Sequence, residues 1–106
     1  MKSASQSRLA LALLFCVAVE APAVAADPQA GQRLTQQWCT SCHVIGEGNR
    51  GTDSAPSLPA IARLKGNDRE WLRAWLAAPH APMPNLSLTR QEIANIAAYL
   101  DSLRRR

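Results

Sequence analysis

Five consecutive residues carry the most specific chemistry in this sequence: Cys39-Thr40-Ser41-Cys42-His43. Two thiols separated by two residues, with an imidazole next in the chain, can attach haem c through two thioether bonds. The spacing has a mechanical reason. The cysteines lie one turn apart at a helix end, so both sulfurs can reach the two vinyl groups on one edge of the macrocycle. His43 is then held under the iron as an axial ligand. Other uses of these residues fit less well. A thioredoxin-like Cys-x-x-Cys needs a strand–helix context, and no strand pattern is visible. A zinc site takes about four ligands, whereas Cys39, Cys42 and His43 make three, and adjacent Cys and His do not easily share one tetrahedral ion. A disulfide is the first expectation for paired cysteines in an exported protein, but the histidine that follows redirects the reading to haem.

The second axial ligand must come from elsewhere in the chain. Apart from Met1 the sequence has a single methionine, Met83, inside His80-Ala81-Pro82-Met83-Pro84. A thioether is a good soft ligand for haem iron. Prolines on both sides stiffen the backbone and remove two amide donors, which suits a segment that presents one side chain. Met83 is therefore the expected ligand. A lone methionine also serves as a core gap-filler. His80 is the competing ligand, a stronger donor to ferric iron, although it directly follows Pro79 at a helix end. Trp71 and Trp75 stand four apart and read as core and haem-wall residues, with an indole N–H available to a propionate.

The elements that position these residues read as short helices joined by loops. Asp27-Pro28 opens the first, with Asp as N-cap and Pro at the first helical position. Gly31, Leu34 and Trp38 form its inner stripe, and it runs straight into Cys39. Residues 46–54 are polar and glycine-rich, a solvated loop. A short helix spans Pro59 to Leu64 and is stopped by Gly66. Asn67 caps a third helix, with Glu70 placed to complete a capping box. Leu72, Trp75 and Leu76 form its apolar face, and Pro79 ends it. Thr89 and Glu92 form the box of the last helix, with Leu88 and Ile93 at the staple positions. Ile93, Ile96, Ala97, Leu100 and Leu103 then repeat at helical spacing.

Ahead of all this lies a different kind of segment. Lys2 and Arg8 precede an apolar run from Leu9 to Val19, and Ala23-Val24-Ala25-Ala26 supplies small residues at the spacing a signal peptidase reads. These features predict a cleaved secretory signal peptide over residues 1–26. The run is too short for a membrane anchor, which takes roughly 20 apolar residues, and Phe15 before Cys16 argues against a lipoprotein. The domain is then 27–106, near the size below which a core needs a disulfide, metal or cofactor. It carries ten Lys and Arg against seven Asp and Glu. That balance, with three of the positive charges in the terminal Arg104-Arg105-Arg106, is too weak and too localised for a nucleic-acid stripe.

The chain resembles the class I cytochromes c in their short bacterial form, across all of 27–106. The resemblance rests on Gly31, Leu34 and Trp38 before the Cys39–His43 motif, on Ala55-Pro56-Ser57-Leu58, on Pro82-Met83-Pro84, and on Ile96, Ala98, Tyr99 and Leu100. It implies an all-α cytochrome c fold, four to five short helices around one covalently attached haem. Its first and last helices would cross, Gly31 permitting close approach against Ile96, Tyr99 and Leu100. It also implies that the Pro56 carbonyl accepts a hydrogen bond from the His43 ring and fixes its tautomer. One departure is Ala55, where the family often has glycine before that proline.

The expected function is one-electron transfer in the periplasm between redox partner proteins such as a dehydrogenase, reductase or oxidase. His43 and Met83 together leave no open iron site, so a carrier rather than an enzyme is expected. The resemblance puts the exposed haem edge near Thr40, Ser41, Val44, Ala81 and Pro82. Two alternatives stand beside this: a five-coordinate gas-binding or peroxidase-like protein with His80 as distal group, and a dedicated cytochrome subunit of a dehydrogenase complex.

Overall fold

Asp27 adopts extended backbone and its carboxylate accepts from the Gln29 N–H at 2.8 Å, so α1 (Pro28–Trp38) begins where a cap and a proline at the first turn set it. The computed structural model describes residues 23–45, 55–64, 66, 68–78 and 80–106. The apolar run expected as a leader, the glycine-rich loop 46–54, and Lys65, Asn67 and Pro79 lie outside the described residues.

Each later helix also starts at a side-chain cap. Ser57 accepts from the Ala60 N–H at the start of α2 (Leu58–Arg63). Asp68 accepts from the Trp71 N–H at 2.8 Å to open α3 (Arg69–Ala77). The expected cap was Asn67; the carboxylate one residue later is the group that reaches the free amide of the first turn. Thr89 and Glu92 exchange reciprocal bonds at the start of α4 (Arg90–Arg104), as their spacing predicts. α2 begins one residue earlier than the proline suggested, because Ser57 takes the cap and leaves Pro59 within the first turn. Gly66, just beyond α2, has φ of +91°, a conformation that favours glycine.

The fold is all-α, with four helices and no strand among the described residues; His80 and Met83 form an isolated bridge. α4 is the central element, and α1, α2 and α3 each pack against it. Its buried residues include Ile93, Ile96, Ala97, Leu100 and Leu103, the predicted stripe, together with Tyr99. Leu58 and Ala62 from α2, Leu72 from α3 and Cys39 complete the core.

α1 meets α4 at Gly31. A Cβ there would run into the carbonyl of Asn95 and come within 2.9 Å of the Ile96 amide. The close approach is therefore to the α4 backbone at Asn95–Ile96. The stripe of α1 is also shifted from expectation. Gly31, Thr35 and Cys39 are its buried line, Leu34 is half-buried, and Trp38 is 49% exposed. Asn95 ties the same two helices with its side chain, its Oδ1 accepting from the Asp27 N–H and from Gln91 Nε2, both at 2.9 Å. Asp101 ties α3 to α4: its buried carboxylate pairs with Arg69 at 3.0 Å, Arg104 at 2.6 Å and Arg105 at 3.4 Å.

Candidate functional site

The end of α1 builds the first half of the site. The Cys39 N–H donates to the Thr35 carbonyl as the last helical bond. The Cys39 carbonyl then accepts from Cys42 N–H at 3.2 Å and from His43 N–H at 2.8 Å. These two bonds close a turn that carries Cys39, Cys42 and His43 together. Neither cysteine is in a disulfide. Cys39 is buried, and burial pushes its thiol up from its ordinary range, whereas Cys42 is exposed and receives a contact from Ser41 Oγ at 3.8 Å.

His43 Nδ1 lies 2.7 Å from the Pro56 carbonyl oxygen. A carbonyl can only accept, so Nδ1 carries the hydrogen and the Nε2 lone pair is left for a metal. Close by, the Leu58 N–H donates to the Val44 carbonyl at 2.9 Å and pins the start of α2 to the segment after His43. Ala55 is accommodated with this contact intact.

The second half lies between α3 and α4. Met83 is half-buried and bridged through its backbone to His80. The two residues line, with Leu76 and Ala78, a recess of about 20 Å³. His80 Nδ1 donates to the Ala78 carbonyl at 2.8 Å, and its ring sits 4.1 Å from that of Trp75. Trp75 in turn stacks on Trp71, centroids 5.2 Å apart. The predicted site residues thus fall into two sets: Cys39, Cys42, His43 and Pro56 in one, and Met83 with His80 in the other.

The donor set suits a macrocycle. Among the described residues no group of three His, Cys, Asp or Glu could hold a bare metal ion. Trp38, Leu64, Trp71 and Trp75 are large apolar side chains that the polypeptide leaves uncovered, between 37% and 60% exposed. Two thiols outside any disulfide, an imidazole with its outer nitrogen available and uncovered aromatic surface are what haem c requires. Sequence reasoning did not find Thr35, Asn95 or Asp101, because each acts through a partner on another helix or through burial against one.

Comparison with known proteins agrees. Residues 26–100 match the family described as cytochrome c oxidase, cbb3-type, subunit III, a span that includes Cys39–His43 and Met83. The chain is 41% identical over 83 residues to cytochrome c-552 of Bradyrhizobium diazoefficiens, covering 77% of this chain and 80% of that protein. No solved structure matches. With its paired thiols and histidine on one turn and the family match running over most of its length, the chain belongs to the cytochrome c family: it binds haem c covalently and serves haem-based electron transfer.

Proposed function

We propose that this protein is a periplasmic carrier of single electrons, with His43 and Met83 as the axial ligands of its haem and residues 1–26 as a cleaved export signal. The observation that carries the reading is the 2.7 Å hydrogen bond from His43 Nδ1 to the Pro56 carbonyl. It fixes the ring's orientation and makes Nε2 the more basic ligand. Cys39 and Cys42 hold the cofactor covalently. Met83, on a segment stiffened by Pro82 and Pro84, would supply its thioether as the second ligand. Haem held by these residues would supply reversible one-electron chemistry. With His43 and Met83 both held as ligands, no iron position would remain for a substrate, which favours a carrier over an enzyme. No helix among the described residues is long and apolar enough to cross a membrane.

Replacing Met83 tests this reading. The wild-type ferric protein should be low-spin with the weak far-red sulfur-to-iron band. Met83→Ala should lose that band, bind imidazole or cyanide faster and fall in reduction potential, because a thioether favours ferrous iron. A wild-type protein that lacks the band, with a spectrum that Met83→Ala leaves unchanged, would overturn the assignment. A second reading, service as a fixed subunit of a larger redox complex, is favoured by the family description, which names an oxidase subunit. Co-purification of the native protein with a stoichiometric partner would select it.

A further inference from the structure

His80 competes on paper with Met83 for the iron, yet its surroundings describe a different task. Its Nδ1–H is committed to the Ala78 carbonyl at 2.8 Å. Ala78 is the C-cap of α3, and its own N–H donates to the Trp75 carbonyl. Carbonyls at a helix C-terminus lack partners within the helix, and a histidine donor there both satisfies one and meets the negative end of the dipole. The imidazole packs at a tilt of 40° against Trp75, ring centroids 4.1 Å apart, and Trp75 stacks on Trp71. The ring is thus held from two directions by α3. The backbone of the same residue is paired with Met83 across the turn, and both residues line the recess that Leu76 and Ala78 also border.

From this arrangement we infer that His80 is a positioning residue: it clamps the Met83 segment onto the C-terminal end of α3 and so limits how often the thioether leaves the iron. The inference rests on Met83 being the ligand. The physical need is plain. A thioether is a neutral donor, weaker than imidazole toward ferric iron, so its retention depends on how firmly the polypeptide holds it. The segment 80–89 contains no helix or strand among its described residues. Pro82 and Pro84 have no N–H with which to anchor it. The His80 side chain ties this segment to the end of α3, and the His80–Met83 bridge extends that tie to Met83.

The experiment uses the haem-loaded full-length mature protein and three variants. His80→Ala removes both the hydrogen bond and the ring contact. His80→Asn keeps an N–H donor near the position of Nδ1 while removing Nε2, so it cannot replace imidazole as an iron ligand. Met83→Ala reports on the underlying ligand assignment. His80→Ala should retain the far-red band at low temperature, lose it at a lower temperature than wild type, and bind imidazole about five- to tenfold faster, the size of effect one lost hydrogen bond provides. His80→Asn should return the imidazole rate to within about twofold of wild type. If Met83→Ala abolishes the band while both His80 variants match wild type in imidazole rate and band melting, the clamp is wrong and the ligand assignment stands. If the wild type lacks the band, Met83→Ala leaves the spectrum unchanged and His80→Asn loses the low-spin spectrum, His80 is itself the ligand and both readings fall. A His80→Ala protein too unstable to purify leaves the decision to His80→Asn, whose imidazole rate more than about tenfold above wild type overturns the part assigned to the Nδ1 bond.

Discussion

Thr35 is the residue whose surroundings are least like those its chemistry prefers. It is fully buried between Gly31 and Cys39 on α1, and its Oγ1 has no hydrogen-bond partner among the described residues. A buried hydroxyl without a partner costs free energy, since water would have satisfied it in the unfolded chain. Valine has nearly the same shape without that group. Thr35→Val should therefore stabilise the haem-loaded protein by about 1 kcal/mol, raising its melting temperature by about 4–8 °C for a domain of this size. A melting temperature that falls would show that the hydroxyl has a partner after all. The contrast with Cys39, Cys42 and His43 explains what was legible at this scale. Those three are contiguous, and their chemistry is set by spacing along the chain. The importance of Thr35 depends on which helix lies against it, and no local pattern states that.

Helix ends were read more reliably than helix faces. Asp27, Thr89 and Glu92 act within four residues of themselves, so their side chains identify the caps. Asn67 and Asp68 are both good capping residues side by side, and only the bond from Trp71 N–H to the Asp68 carboxylate separates them. On α1 the stripe 31, 34, 38 and the stripe 31, 35, 39 are both helical in period; the approach of Gly31 to the α4 backbone selects the second. Asp101 shows what no single-helix reading supplies. Burial alone would raise its carboxyl; the hydrogen bond from Arg69 and the charges of Arg105 and Arg104 outweigh it and hold the group below its ordinary range. Its folded value thus lies below the unfolded value of about 3.9. The ionised carboxylate stabilises the fold fully above that pH, and the contribution is lost as pH falls through the folded value. Asp101→Asn should lower stability at pH 7 by about 1 kcal/mol, a modest figure because the guanidinium partners are partly exposed. Thermal melts as a function of pH should show the gap to wild type closing below about pH 4; a gap that stays constant would mean that the carboxylate charge plays no part.

On the scale of the whole molecule, charge and the proposed docking edge are separate matters. Thr40, Ser41, Ala81 and Pro82 are exposed, Val44 is half-buried, and none of the five is charged. Arg69, Arg104 and Arg105 converge instead on Asp101, where one carboxylate offsets part of their charge. Docking through an uncharged edge should respond weakly to salt, with affinity set by apolar contact in a small, transient interface. The second-order rate of reduction by a redox partner should therefore change less than about tenfold between low and moderate ionic strength, a limit of about 1.4 kcal/mol at the barrier. A larger decline would show that a charged patch steers the encounter. The bond from the Asp27 N–H to Asn95 has a consequence of another kind, one of timing. It joins the first residue of the domain to a helix near the other end of the chain, 68 positions away. A polypeptide exported N-terminus first delivers α1 and the Cys39–His43 turn early and α4 last. Until α4 arrives, the Gly31 surface has nothing to dock against and Cys39 has no core to enter. On the proposed export route, the order of arrival itself keeps Cys39 open to haem attachment, as Cys42 is even in the finished fold, and the fold closes over Cys39 only after α4 has been delivered.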